Sequence, residues 1–370
     1  MKKLDYSKSV NYAVADPLKI LMQKEGLATA INLEGTGVSE KGESRGESAY
    51  VLDAGDHYLA FTVEGLGTKN LVADAVYKET GKSYYKEIAQ DLVASIINDL
   101  ITVGARPLTL SAYWSMQSYD WFKDKKRAED LIKGMRVACD MAGVSWGGGE
   151  TQSLNGILQP GVIELAGAGV GIINPKSRLT VGDKLKAGDA IILLESSGIH
   201  ANGVSLARDL AEKLPDGYQT KLPASPHPEG VRYGEALLAP TIIYSKLIQD
   251  LYNNGVDIHY MANITGHGWR KLMRHPSALT YRITKTPPIP PVLEFIQKEV
   301  EMSDEEAYGT FNMGAGFALF VAKEDVNKIL MIAKTHMIKA YDAGIVEAGK
   351  KQVIIEPKNI TYSAQSLQVR

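Results

Sequence analysis

The stretch YLAFTVEGLGTK, residues 58–69, changes character at its centre. Its first half is an apolar run typical of a buried strand, and its second half places Gly65 and Gly67 between the Glu64 carboxylate and the Lys69 ammonium. Bare glycine backbone flanked by both charges suits a phosphate group and its metal ion. A hairpin turn with charged flanks would use the same residues, so this stretch alone leaves both readings open.

The surrounding pattern predicts an α+β fold. Residues 49–54 and 58–64 form two strand-like runs separated by a Gly-Asp pair, as in a hairpin. Residues 84–103 have the apolar spacing of a helix, and residues 162–174 alternate small and apolar side chains, which predicts a strand packed closely on both faces. Strands and helices follow no strict βαβ rhythm, which favours sheets with helices on one face over a Rossmann fold.

The chain length and a change in composition predict two domains. The 370 residues exceed one ordinary domain, and residues 175–189 are polar and rich in turn formers. We therefore expect an N-terminal domain over 1–175 and a C-terminal domain over 185–357.

Three local predictions concern the connections. The glycine-rich, charged segment 34–48 is expected to be a mobile loop. Helices are expected at about 201–213 and 233–253, each following a run of polar or turn residues.

Composition excludes several classes of protein. With 41 Lys and Arg against 43 Asp and Glu, the formal charge is −2, so nucleic acid is not expected as a partner. The apolar runs are strand-length and no secretory signal is evident, which favours a cytoplasmic protein without a membrane span. The only cysteine, Cys139, excludes an internal disulfide and a cysteine metal cluster, and its apolar surroundings favour a core thiol.

Three polar residues interrupt the helix predicted at 84–103. Asp91 and Asn98 are seven residues apart and therefore share one stripe, with Asp99 beside it. Carboxylate and amide oxygens are the ligands that Mg²⁺ prefers. Asp91 and Asn98 facing water is the other interpretation that the spacing allows.

Two further clusters could bind an anion. Residues 147–151, GGGET, would let backbone N–H groups approach a phosphate while Glu150 carries a metal, although a structural turn fits equally well. Residues 196–203, SSGIHANG, join a buried strand to a helix and would place His200 at a helix N-terminus, as a proton donor or only as a cap. Since the sequence has no Walker A pattern, a nucleotide would need another binding scheme.

Seven motifs occur in the order found in one enzyme family. They are EGLGTK (64–69), NDLITVGARP (98–107), GGET (148–151), SSGIHANG (196–203), LLAPTIIY (237–244), ITGHG (264–268) and TFNMGAG (310–316). With these motifs the chain resembles the phosphoribosylformylglycinamidine cyclo-ligase (aminoimidazole ribonucleotide synthetase) family and its wider ATP-using superfamily.

The resemblance implies a two-domain fold and a reaction. The N-terminal sheets of two subunits would pair into a barrel at a homodimer interface, and the C-terminal domain would be an α/β sandwich that binds substrate. ATP and Mg²⁺ would lie near the glycine-rich motifs. In purine biosynthesis the γ-phosphoryl group of ATP would pass to the amide oxygen of formylglycinamidine ribonucleotide, after which a substrate nitrogen closes the imidazole ring and phosphate leaves.

The resemblance also implies site residues, matched motif by motif. The metal ligands would be Glu64, Asp91, Asp99 and Glu150. The ATP-binding residues would be Gly65, Gly67, Thr68, Lys69, Asn98, Gly148, Gly149 and Thr151. The substrate-binding residues would be His200, Asn202, Thr265 and Asn312, and the catalytic residues His200, Lys69 and Asp99.

At three positions the sequence departs from the family pattern, and these departures bear on which substrate is bound more than on the fold. Glu64 stands where the family has Asp, Ala112 replaces an acidic residue, and His267 replaces a glycine. Another ATP-using enzyme of the superfamily, such as thiamine-monophosphate kinase, and a non-catalytic nucleotide-binding homologue are the alternatives. Retention of the four carboxylates favours an active enzyme.

Overall fold

Two mixed sheets organise the chain in the computed structural model, which describes residues 12–223 and 230–367. The first sheet has the strand order β1-β2-β3-β6-β4-β5, antiparallel except for the β4–β5 pair. Its strands are β1 (Ser39–Glu40), β2 (Tyr50–Asp53), β3 (Tyr58–Gly65), β4 (Arg106–Met116), β5 (Ser145–Ser153) and β6 (Ile163–Ile173). The helices of this half are α1 (Tyr12–Ala28), α2 (Lys69–Thr80), α3 (Tyr85–Ile101) and α4 (Lys125–Ala142).

Helix α3 packs on one face of this sheet, and glycines in β6 permit the close approach. A Cβ atom at Gly169 would lie 2.6 Å from Cγ2 of Ile96, and one at Gly167 would lie 2.8 Å from Cδ1 of the same residue. The alternation along β6 is confirmed, but only this face is closely packed. Val170 and the other apolar outward residues of β6 are partly exposed in the single chain, so packing of the second face, which was also predicted, is not provided by this chain itself.

The second sheet has the order β13-β12-β9-β11-β7-β10-β8, antiparallel except for the β12–β9 pair. Its strands are β7 (Ala190–Glu195), β8 (Ile258–Asn263), β9 (Leu279–Ile283), β10 (Ala315–Val321), β11 (Ala340–Ala348), β12 (Gln352–Ile355) and β13 (Ile360–Ser363). Its helices are α5 (Val204–Ala211), α6 (Tyr233–Leu237), α7 (Ser245–Asn253), α8 (Pro291–Val300), α9 (Asp304–Thr310) and α10 (Val326–Thr335). Because β13 is part of this sheet, the sheet continues past residue 357, the end predicted for the second domain.

Two local predictions differ from the structure. The helix expected over 233–253 is two helices, α6 and α7, with Pro240 between them, because proline lacks an N–H donor and disfavours helix at the preceding residue. The expected loop 34–48 contains β1 and a 3₁₀ turn, and Nε and Nη2 of Arg45 each donate to the Glu40 carboxylate at 2.6 Å. A bidentate pair of this kind fixes the local backbone.

Composition predicted a core cysteine and no membrane-spanning segment. Cys139 is buried on α4, and desolvation raises the pKa of its thiol to about 11, so it is protonated and inert near neutral pH, as predicted for a core cysteine. Within the described residues, no helix combines the length and the apolar character needed to cross a bilayer.

Candidate functional site

A cavity of about 550 Å³ lies where the two halves of the chain meet. The first half contributes Glu64 at the end of β3, Asp99 on α3, and residues 46–48 before β2. The second half contributes Asn202 and the segment 265–274 that follows β8. Helix α1 adds Lys19, Met22 and Gln23, and Leu367 completes the wall.

Glu64 and Asp99, two of the three carboxylates that line the cavity, form a pair, and Glu47 is the third. The side chains of Glu64 and Asp99 are hydrogen bonded to each other, and Asn263 donates from Nδ2 to Oδ1 of Asp99 at 2.7 Å. Burial, together with the charge of Asp99, raises the pKa of Glu64 to about 8. Glu64 is therefore the protonated partner near neutral pH, and a divalent cation that binds the pair would displace its proton.

Basic side chains face this acidic pair. Burial and the neighbouring guanidinium of Arg274 lower the pKa of Lys271 to about 8, while Asp99 and Glu64 oppose the shift. The Lys271 ammonium donates to the hydroxyl of Thr265, and Arg274 donates from Nε to the Gly46 carbonyl at 3.0 Å. A cavity that holds both signs of charge is suited to a metal-bound phosphate.

The Glu64 pKa predicts how stability changes with pH. Because its folded pKa of about 8 lies above the ordinary value of 4.5, the stabilisation is complete below pH 4.5 and is lost as the pH rises towards 8. We expect the free energy of unfolding, without divalent cations, to fall from pH 5 to 8 more steeply in the wild type than in Glu64→Gln. The contribution of Lys271 changes only above pH 8, outside this window.

Urea unfolding at several pH values, in the presence of a chelator, measures this difference. Equal slopes in the two proteins would contradict a raised Glu64 pKa. Adding Mg²⁺ should reduce the wild-type slope, since the ion favours the deprotonated pair.

Lys69 and Asp91 form a buried ion pair instead of lining the cavity. Both side chains have no exposed surface, and Nζ of Lys69 lies 2.8 Å from Oδ2 of Asp91 and 2.8 Å from the Ala239 carbonyl oxygen. Oδ1 of Asp91 accepts hydrogen bonds from both the backbone N–H and the hydroxyl of Thr241. A charge removed from water needs an opposite charge and hydrogen bonds, and here each partner supplies them. The structure thus separates these two residues from Glu64 and Asp99.

Asn98 continues the same stripe of α3. It donates from Nδ2 to the Ile242 carbonyl at 2.8 Å and accepts at Oδ1 from the Tyr244 N–H at 3.1 Å. Asp91 and Asn98 do share one face of the helix, as the spacing predicted, but that face is buried against residues 239–244 and does not face water. The oxygen and the nitrogen of the Asn98 amide are both hydrogen bonded to backbone groups, and the side chain does not line the cavity.

The GGGET segment lies in β5 at the edge of the first sheet, so the structural turn that the sequence left open as an alternative is not what it forms. A Cβ atom at Gly149 would lie 1.9 Å from the Ala112 carbonyl oxygen, so glycine is needed for the pairing of β5 with β4. Gly148, Glu150 and Thr151 are exposed there, outside the cavity. Across residues 12–223 and 230–367 no group of three Asp, Glu, His or Cys side chains is arranged so that it could hold a metal ion, so the four predicted metal carboxylates do not form one such site within a single chain.

The remaining phosphate-binding candidates lie between β3 and α2. Gly65 ends β3, Gly67 has a φ of 78°, and Thr68 precedes the first residue of α2. The Thr68 hydroxyl lies 3.5 Å from the Ser205 hydroxyl at the start of α5. Because Gly65 directly follows Glu64 in the chain, this turn begins at the cavity wall.

Of the four predicted substrate residues, Asn202 and Thr265 line the cavity and the other two do not. His200 is buried with a φ of 58°, and its Nε2 accepts from the Ser197 N–H at 3.3 Å. Burial, and secondarily the charge of Lys69, lowers its pKa to about 3, so it is neutral. Asn312 accepts from the Ser196 hydroxyl at 2.7 Å and donates to the Gly198 carbonyl at 2.8 Å, which fixes the SSGIHANG segment from behind.

Sequence reasoning missed most of the basic side chains of the cavity. Lys271 and Arg274 follow the ITGHG motif and are one turn apart, and Lys19 comes from α1. The signal was the cluster Arg270, Lys271 and Arg274 directly after a glycine turn. Of the two departures at 112 and 267, only His267 lines the cavity.

Comparison with known families agrees with this architecture. Residues 46–173 match "AIR synthase related protein, N-terminal domain", and residues 186–356 match "AIR synthase related protein, C-terminal domain". The chain belongs to the AIR synthase related family.

Among its relatives are two proteins named phosphoribosylformylglycinamidine cyclo-ligase. The one from Methanococcus vannielii is 33% identical over 322 residues, 87% of this chain and 87% of the relative. The one from Carboxydothermus hydrogenoformans is 37% identical over 311 residues, 83% of this chain and 86% of the relative.

The fold also occurs in solved structures of lower sequence identity. The structure described as AaThiL complexed with AMPPCP and TMP superposes with a TM-score of 0.58 at 14% identity, covering 86% of this chain and 90% of that one. At this identity the similarity shows a shared two-domain fold.

Proposed function

We propose that this chain is a phosphoribosylformylglycinamidine cyclo-ligase, which uses ATP to cyclise formylglycinamidine ribonucleotide to aminoimidazole ribonucleotide with release of ADP and phosphate. The observation that carries the proposal is the cavity between the two halves. It combines a hydrogen-bonded carboxylate pair, Glu64 and Asp99, with Lys271 and Arg274, in a chain whose relatives of 33% and 37% identity bear this enzyme name. A purine-biosynthetic reaction also favours a cytoplasmic location.

The carboxylate pair fits Mg²⁺. Proteins usually bind this ion through one or two carboxylates, leaving its other positions to water and to substrate phosphates. Glu64 and Asp99 provide two, and the proton between them is one that a divalent cation would replace. When bound, the ion would neutralise negative charge on the transferred phosphoryl group. Asp91 and Glu150 are not needed for this arrangement, although the resemblance had suggested them.

Phosphoryl transfer requires positioning and charge neutralisation more than covalent participation by the protein. Lys271 and Arg274 would hold phosphate oxygens, and the Gly65–Gly67 turn with Thr68 would approach the nucleotide through backbone N–H groups. The complex of a protein with the same fold and AMPPCP supports nucleotide binding by this architecture. Asn202 and Thr265 would orient the substrate, whose amide oxygen takes the γ-phosphoryl group. A substrate nitrogen then attacks the activated carbon, and the carbon–oxygen bond breaks as phosphate leaves.

The buried pair and the neutral His200 act behind this site. Lys69 with Asp91, and Asn98, hold residues 239–244, and the Ser197 N–H and the His200 ring fix the strand-to-helix segment that carries Asn202. We assign positioning roles to these residues, in place of the direct ligand roles expected from the motifs.

Phosphate release from ATP and Mg²⁺, measured with and without formylglycinamidine ribonucleotide, tests the proposed reaction. We expect release that depends on the substrate and equals imidazole formation one for one. Hydrolysis of ATP without an imidazole product would contradict it, and would favour another ATP-using enzyme of the same fold. Binding of ATP without any turnover would favour a non-catalytic homologue.

The outer face of the first sheet supports a homodimer. Val63 on β3 is 75% exposed, and Leu108 and Tyr113 on β4 are 43% and 38% exposed, beside the partly exposed Val170 of β6. An apolar sheet face of this kind usually meets a partner. A second copy of this chain is the partner that the resemblance favours.

A charge in the middle of this face should therefore separate the subunits. We expect Val170→Asp to weaken self-association by on the order of 100-fold, because a carboxylate would be buried without a partner in the dimer. Analytical ultracentrifugation should show the wild type at the mass of two chains and the variant at the mass of one. Met331→Asp, at a 65% exposed position on α10, is the control and should remain dimeric. A dimeric Val170→Asp protein would place the interface elsewhere.

A further inference from the structure

A second cavity, of about 390 Å³, lies where three parts of the chain meet. The first domain contributes Arg106 at the start of β4, the segment between the domains contributes Arg178, and helix α7 of the second domain contributes Lys246 and Asp250. His336, which directly follows α10, also lines it. This second cavity shares no lining residue with the cavity described above. A ligand bound in it would contact both domains at once.

Positive charge predominates in the wall of the second cavity. Its three cationic side chains meet one carboxylate, Asp250, among the described residues that line it. That carboxylate is already engaged, because its Oδ1 accepts from Nδ2 of Asn254 at 3.1 Å and its Oδ2 lies 3.0 Å from Nε2 of His336. Three positive charges against one negative charge leave an excess of two when the imidazole is neutral, in a chain whose formal charge is −2.

The three cations are not neutralised by other protein groups. In the part of the chain that the structure describes, neither the Arg106 guanidinium nor the Lys246 ammonium has a hydrogen-bond or ion-pair partner. Arg178 donates from Nη2 to Oδ1 of Asn253 at 3.2 Å, and its guanidinium lies 5.1 Å from the centre of the Tyr252 ring. Both of these partners are uncharged. Single exposed cations are common on protein surfaces, so the informative feature is that three of them line one cavity.

The helix ends near Lys246 do not remove its charge. A lysine near a helix C-terminus often caps the last carbonyl groups. At the end of α4, however, the Ala142 carbonyl accepts from the Ser245 hydroxyl at 2.7 Å, and the Cys139 carbonyl accepts from the Val144 N–H at 3.0 Å. Lys246 is instead the second residue of α7, where the helix dipole also favours a negative ligand.

A diphosphate group has the chemistry that this wall would bind. Guanidinium groups pair with phosphate oxygens through two parallel hydrogen bonds, and an ammonium group adds a point charge. A single phosphate carries up to about two negative charges near neutral pH and a diphosphate about three, which three cations can offset. The volume falls in the range of small-molecule sites. No Phe, Tyr or Trp is among the described residues of the wall, so stacking on a base contributes little.

We propose that the second cavity binds the diphosphate group of a small molecule through Arg106, Arg178 and Lys246, and that the bound molecule joins the two domains. The site is separate from the cavity of the proposed function and does not depend on that function. It gives a role to basic side chains that the cyclisation does not use.

Isothermal titration calorimetry of the full-length chain with pyrophosphate, in the presence of a chelator, tests the proposal. Because pyrophosphate could also enter the first cavity, the titrations are made in a Lys271→Gln background, which weakens binding there. We expect Arg106→Gln and Lys246→Gln each to weaken pyrophosphate binding about tenfold, as for loss of one hydrogen bond to a charged group. The double variant should show no measurable binding. Pyrophosphate should raise the melting temperature of the Lys271→Gln protein but not that of the double variant in this background.

The double variant Lys133→Gln/Arg136→Gln is the matched control. It also removes one lysine and one arginine, from exposed ion pairs on α4 with Glu129 and Asp140. In the same background it should keep the affinity for pyrophosphate. Three results would overturn the proposal: no binding by the Lys271→Gln protein, unchanged affinity in Arg106→Gln/Lys246→Gln, or equal weakening in the control.

ADP in place of pyrophosphate identifies the molecule that carries the diphosphate. If ADP binds as tightly and the Arg106→Gln/Lys246→Gln variant loses both ligands, the ligand is a nucleoside diphosphate. If only pyrophosphate binds, it is the inorganic ion. Turnover separates this site from the proposed function, because Arg106→Gln/Lys246→Gln without the Lys271 change should form the imidazole product at the wild-type rate when no pyrophosphate is added. Failure of the cyclisation would therefore leave the diphosphate site standing, and the reverse also holds.

Discussion

Asp99→Asn is expected to reduce substrate-dependent phosphate release by on the order of 1,000-fold while leaving the melting temperature nearly unchanged. Asparagine has the shape of aspartate but no charge, so the carboxylate pair loses the partner that Asn263 orients at 2.7 Å. The variant should also change the pKa of Glu64, which gives a second sign that the pair has been disrupted. The charge of Asp99 helps to raise the pKa of Glu64, so in the variant this pKa should move back towards its ordinary value.

The measurement is the rate of phosphate release at saturating ATP and Mg²⁺, with circular dichroism to verify folding. Asp140→Asn is the control, because Asp140 is exposed on α4 and forms a surface ion pair with Arg136, at 2.8 Å and one helical turn away. We expect it to retain activity within about twofold. Full activity of Asp99→Asn would remove Asp99 from the proposed metal site.

Lys69→Met is expected to lower the free energy of unfolding by about 3–5 kcal/mol, because it leaves the Asp91 carboxylate buried without its opposite charge. The motif suggested that Lys69 binds phosphate, whereas its ammonium lies between Asp91 and the Ala239 carbonyl with no exposed surface. Stability, rather than nucleotide affinity, should therefore be the first property to change. Urea unfolding monitored by tryptophan fluorescence measures the loss.

Two further variants identify the cause. Lys133→Met removes an ammonium from an exposed pair with Glu129, at 2.7 Å, and should cost less than about 1 kcal/mol. The double variant Lys69→Met/Asp91→Leu should recover part of the lost stability, since no unpaired charge remains in the interior. A Lys69→Met protein as stable as the wild type but unable to bind ATP would restore the phosphate-binding role.

Local periodicity was sufficient to locate most of the secondary structure. The apolar spacing over 84–103 predicted α3, and the alternation over 162–174 predicted β6, because both patterns depend only on which face is buried. The break between α6 and α7 was visible in Pro240 but was outweighed by the apolar spacing on both sides. The sequence did not show that GGGET lies in a strand, because glycine is rare in sheets. Glycine is needed at 149 because the backbone of Ala112, on a strand distant in sequence, approaches too closely for a side chain.

The site was only partly predictable, because a polar residue in a helix does not reveal its partner. Asp91, Asn98 and Asp99 are equally polar in the sequence, yet the first two hold backbone at 239–244 and only the third reaches the cavity. Which partner each one meets depends on how the second domain folds against α3. Lys271 and Arg274 were missed for a similar reason, since surface lysine and arginine are common and only the folded turn directs these two inwards.

The contacts of α3 with residues 239–244 also limit which segments can be exchanged between related chains by recombination or by engineering. Thr241 and Asp91 are 150 positions apart in sequence, and their hydrogen bonds cross from one domain to the other. A fragment cut between the domains would expose the Asp91–Asn98 stripe on one piece and leave backbone N–H and C=O groups without partners on the other. Chimeras between relatives should therefore remain folded only when α2, α3 and this distant segment are exchanged together, so the module that recombines is this set of interlocked segments and not the domain.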